Sequence, residues 1–157
     1  MAYQNLDEKI EEIYNLYKSE LSSSKNFRKF IRIPLTEQSS LRKLSEDELR
    51  TIFHYFRSEE RNECREGKSV EEHVVSINTI ISILSDQYQS TPDNFTKEFI
   101  KDVLEKCLWV VFITDDENKR LNQLGLKNKM PDGWSWRTDN PFIRYQMANI
   151  KVSGLIN

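Results

Sequence analysis

The residues best suited to proton transfer, nucleophilic attack or soft-metal binding are few in this 157-residue chain: His54, His73, Cys64 and Cys107. The two cysteines are isolated, with no CxxC pair, a pattern of reduced, partly buried thiols rather than a disulfide or a metal clip. His73 follows Glu71 and Glu72 directly. A di-iron helix needs Glu and His three positions apart on one face, so this "EEH" does not supply one. His54 stands four residues after Arg50, one turn away on a helix, which is the only base-and-cation pair that could serve a helical nuclease-like enzyme. No GxGxxG, GxxxxGK[ST], GxSxG or HExxH occurs. The acidic pairs, Asp115-Asp116 among them, suit helix starts, where carboxylates meet the positive end of the helix dipole. The expectation is a protein with no cofactor, no metal and no catalytic residues, acting by binding.

Binding chemistry is better represented. Net charge is only -2, yet residues 25–43 carry six bases and one acid, and residues 119–157 seven bases and two acids. The first basic island holds Lys25, Arg28, Lys29 and Arg32 among Phe27 and Phe30. The second holds Lys127, Lys129, Arg137 and Arg144 among Trp134, Trp136 and Tyr145. Cations neutralise phosphates while rings stack on bases, and the same mixture docks an acidic protein. Lys25, Arg28, Lys29, Arg32, Lys127 and Lys129 are therefore candidates for an acidic or nucleic-acid partner. Trp134, Trp136, Arg137, Arg144 and Tyr145 are candidates for a protein contact, since Trp, Tyr and Arg dominate binding hot spots. A pI of 5.8 lies far from the value above ~9 usual for nucleic-acid domains. The first expectation is thus an adaptor, inhibitor or assembly subunit acting on a protein or ribonucleoprotein complex, with self-association open. A nucleic-acid-binding helical protein is the second reading, and the Arg50/His54 enzyme the third. Small, charged, motif-free helical chains are also common among phage and mobile-element accessory proteins.

No basic-then-apolar leader opens the sequence and no apolar run approaches ~18 residues, so the expectation is a cytoplasmic protein outside the membrane. At this length, one domain spanning 1–157 is expected.

The elements that would position these residues read as helices. Asn5 to Glu8, Ser45 to Glu48, Ser69 to Glu72 and Thr114 to Glu117 have capping-box spacing, in which two side chains satisfy each other's free backbone N–H groups. Thr91-Pro92 and Asn140-Pro141 add starts, because proline at the first helical position sacrifices no needed donor. Apolar stripes follow: Leu6, Ile10, Ile13, Tyr17, Leu21; then Leu49, Ile52, Phe53, Phe56; then Val70, Val74, Ile77, Ile81, Leu84, Tyr88. Pro34 is expected to stop whatever precedes it. "CLWVVFI" (107–113) reads as helix or buried strand, and a continued helix is favoured because no breaker precedes it. Gly125 should end a short helix. Pro131-Asp132-Gly133 should turn, with Trp134 and Trp136 on opposite sides of an extended chain. The expected fold is mostly all-α: a compact bundle of about 5–7 helices with an irregular, aromatic-rich C-terminal region, including a loop at 127–140 before a last short helix.

Overall fold

The computed structural model describes residues 5–36, 54–58 and 69–153. Helices dominate them: α1 (Leu6–Lys18), α2 (Phe27–Thr36), α3 (Ile77–Ser90), α4 (Lys97–Cys107), α5 (Asp115–Gln123) and α6 (Ile143–Met147). Short 3-10 turns lie at Glu20–Ser23 and Pro92–Asn94. The mostly helical expectation holds at that level, but the helices surround a sheet that the expected bundle did not include, formed by β1 (His54–Ser58), β2 (Ser69–His73), β3 (Trp109–Thr114) and β4 (Val152–Ser153), in the order β2-β3-β1-β4. β3 runs parallel to β1, with His54 opposite Trp109, and antiparallel to β2, with His73 opposite Val110.

The sheet divides the interior into two apolar layers. Val110 and Phe112 of β3 face one layer, built on Ile13 and Tyr17 of α1, Ile31 of α2, Ile81 of α3 and Val103 of α4. Val111 and Ile113 face the other, with Leu121 of α5 and Tyr145 of α6. A strand covered on both faces shows no alternation, which is why "WVVFI" looks uniformly apolar and passes for buried helix. The favoured continuous helix is corrected: α4 ends at Cys107, Leu108 caps it, and the chain extends as β3. β-Branched and aromatic side chains suit the pleated position between layers.

The Asn5 cap forms, its Oδ1 accepting from the Glu8 amide at 2.9 Å. Thr114 and Glu117 close a full capping box. The Ser69–Glu72 start does not form, because Ser69–His73 pairs with β3 and leaves Ser76 to cap α3. The stripe through Phe56 ends in β1 rather than in a helix. α2 runs past Pro34 to Thr36. The carbonyl that Pro34 leaves without a partner belongs to exposed Phe30, and the Pro34 carbonyl itself accepts from Lys9 Nζ at 2.6 Å. Ser45–Glu48, Arg50, Cys64 and the stripe from Leu49 to Phe53 lie outside the described residues.

Candidate interaction surface

α2 is built with two faces. Phe27, Ile31 and Leu35 recur at helical spacing and are buried, while Arg28, Lys29, Phe30, Arg32 and Ile33 are exposed. Lys25 is exposed in the preceding turn. Arg32 reaches α3, where its Nη1 donates to Asn78 Oδ1 at 2.7 Å. Among the described residues no carboxylate lies within ion-pair distance of Lys25, Arg28 or Lys29. The first basic island thus presents its charge outward beside two large apolar side chains.

The second island divides between surface and interior. Arg144 is fully buried: its guanidinium donates to the carbonyls of His73, Val74, Leu126 and Lys127 and to Glu72 Oε1 at 3.3 Å. These partners lie on β2, on the turn after it and on the segment after α5, so one side chain ties three stretches of chain to α6. Tyr145 is buried in the second layer, where burial holds its hydroxyl well above the ordinary tyrosine range. Arg144 and Tyr145 are therefore interior residues in this fold.

The tryptophans are half-buried. Both pack against the first apolar layer rather than on opposite sides of an extended chain, because residues 136–138 turn instead of extending. Trp134 Nε1 donates to the Asn140 carbonyl at 3.0 Å, and Trp136 lies edge-on to Phe99. The Arg137 guanidinium lies 4.5 Å and the Lys106 ammonium 5.2 Å from the centre of the Trp136 ring. Such stacking holds cations in place at an exposed site. Arg137 and Lys129 are exposed and Lys127 is half-buried.

The two islands approach each other around the end of β2. Neighbouring strand residues point to opposite faces, so Glu72 faces Arg144 while His73 faces the α1–α2 side. Lys127 acts on Glu72, and Arg32 and Lys9 act on His73. Burial foremost, then these cations and Arg144, lowers His73 to about 4, leaving a neutral imidazole at pH 7. Burial outweighs Arg144 at Glu72 and raises its carboxyl. On the opposite end of the sheet, buried Ser58 Oγ donates to buried Glu117 Oε1 at 2.5 Å.

Several of these buried polar residues escape sequence reading. Lys9 had a signal, since it occupies a core-facing position of the α1 stripe and is 0% exposed. Arg144 and Glu72 gave none, being far apart in sequence.

Burial pushes the Cys107 thiol up to about 12, so it carries no thiolate at neutral pH. His54 opens β1, so the one-turn helical spacing that paired it with Arg50 does not hold at its end. Among the described residues no cluster of three or more His, Cys, Asp or Glu could hold a metal ion, and no helix is long and apolar enough to cross a membrane. No protein-family model, curated protein or solved structure matches the chain.

Proposed function

We propose that this protein acts by binding another protein, as an adaptor, inhibitor or assembly subunit, and that the outer face of α2 is its principal contact surface. The observation that carries this reading is the pairing of outward-facing Arg28 and Lys29 with exposed Phe30 and Ile33, at 37% and 55% exposure, on a helix whose other face is anchored in the core. Cations set beside apolar anchors suit an acidic protein surface with an apolar groove, read by residues three apart on one helix. Lys25 and Arg32 extend the basic strip at either end. Lys127, which acts on Glu72 at the end of β2, together with exposed Lys129 and with Arg137 stacked on Trp136, supplies further basic groups outside α2 for a larger partner such as a ribonucleoprotein.

A nucleic acid is the second reading, supported by the number of exposed cations. Ile33 disfavours it as the main partner, because an aliphatic side chain neither stacks on bases nor contacts phosphate. Replacing Phe30 and Ile33 with Ser separates the two. Both positions are exposed, so folding is expected to persist while affinity for a protein partner falls roughly tenfold. Unchanged protein binding by this variant, together with salt-sensitive retention of nucleic acid in a filter assay, would replace the first reading by the second.

A further inference from the structure

The contact face on α2 adjoins a face of opposite charge. Positions on a helix advance by ~100°, so the exposed side of α2 passes from Arg28 and Arg32, through Lys29, to Ile33 and Phe30. Its arginine edge adjoins α3 through Asn78, and its other edge adjoins α1 through the Lys9–Pro34 bond. Continuing round α1 from Lys9, the surface passes Leu16 and Glu12 to Glu8, Asn15 and Glu11, and Glu11 ends the strip in an ion pair with Lys97. These α1 residues, with Leu21 of the following turn, line an open groove of about 630 Å³. Phe30 and Ile33, at 37% and 55% exposure, lie on the side of α2 toward α1, whereas Leu21, at 45%, lines the groove itself. The surface is therefore banded: a basic bank on α2, an apolar strip, and an acidic bank on α1.

A patch banded in this order is complementary to itself after a half-turn. A two-fold axis through the apolar strip sets the basic bank of each copy on the acidic bank of the other, and the contact closes on itself because it is isologous. Resting on the reading of α2 as a contact surface, we propose that a second copy of this chain docks on the α1–α2 face as a two-fold dimer. Arg28 and Lys29 of each copy enter the glutamate-lined groove of its mate, while Phe30 and Ile33 of the two copies cover one another. Attraction between exposed charges is modest and screened, so the dimer is reversible and weakens with salt.

Sedimentation of the full chain from about 5 to 200 µM tests this. The expected result is a monomer–dimer equilibrium weakened at about 0.5 M salt. Glu8→Lys and Lys29→Glu are each expected to raise the dimer Kd about tenfold, since each reversal acts twice in a two-fold contact. Mixing the two variants is expected to restore dimers, because a heterodimer sets lysine banks against glutamate banks at both contacts. Circular dichroism of each variant checks that it is folded. A monomer throughout the range, a dimer indifferent to both reversals, or no rescue on mixing would overturn the dimer. Glu8→Lys leaves α2 intact, so a monomeric chain that still binds another protein, and loses it only on Lys29→Glu, overturns self-association while sparing the function proposed above.

Discussion

At the scale of single residues, Arg144 governs the interior most strongly. Its planar guanidinium serves four carbonyls and one carboxylate at once, a fan that a lysine ammonium cannot reproduce. Arg144→Met leaves Glu72 buried without its cation and is expected to lower unfolding free energy by about 3–5 kcal/mol, measured by urea denaturation, with Arg144→Lys recovering only part. His73 sets a pH dependence. It titrates at about 4 in the fold against 6.5 when unfolded, so between these values the unfolded chain binds a proton that the folded chain does not. Stability from this group is complete above about pH 6.5 and lost as the pH falls toward 4, by roughly 3 kcal/mol. Urea midpoints at both ends of that window should differ markedly in the natural protein and much less in His73→Gln. Glu72, raised by burial, contributes a trend of opposite sign common to both proteins.

At the scale of elements, α5 and α6 end by one device. Gly125 and Asn149 each adopt positive φ, 69° and 55°. The next residues, Leu126 and Ile150, donate back to the carbonyls of Leu121 and Tyr145. This is the paired termination in which a left-handed residue lets the chain satisfy the last free carbonyls. Nothing lies within 4 Å of a side chain added at Gly125, so Gly125→Ala is expected to lower stability by about 1 kcal/mol through backbone strain alone. Asn149→Gly should be neutral or slightly stabilising in the same thermal-melting series. Such local signals were legible in the sequence: the Asn5 and Thr114 caps and the end at Gly125 involve neighbours whose chemistry shows within a few residues. The strands were not legible. Val70–His73 carries a helix-start spacing and a helical stripe, and only pairing with β3 makes it extended; "WVVFI" loses its alternation because apolar layers cover both faces. The candidate site followed the same division. The basic strip on α2 was visible as a charge cluster, but nothing local distinguished outward Arg28 from inward Arg144, since that choice belongs to contacts about 70 residues apart.

At the scale of the whole molecule, the segregation of charge along the sequence becomes a segregation of surfaces. Acidic α1 and basic α2 stand side by side, and Arg144 of the second basic island is drawn inside against β2. In the proposed function, α2 binds a protein partner through its outer face. Its most direct test is affinity capture from cells that naturally express the chain, comparing it with an Arg28→Glu/Lys29→Glu variant of equal melting temperature, with and without nuclease. The expected result is a protein partner that survives nuclease and whose recovery falls about tenfold or more with the variant. Undiminished recovery by the variant, or loss of the partner on nuclease treatment alone, would contradict it.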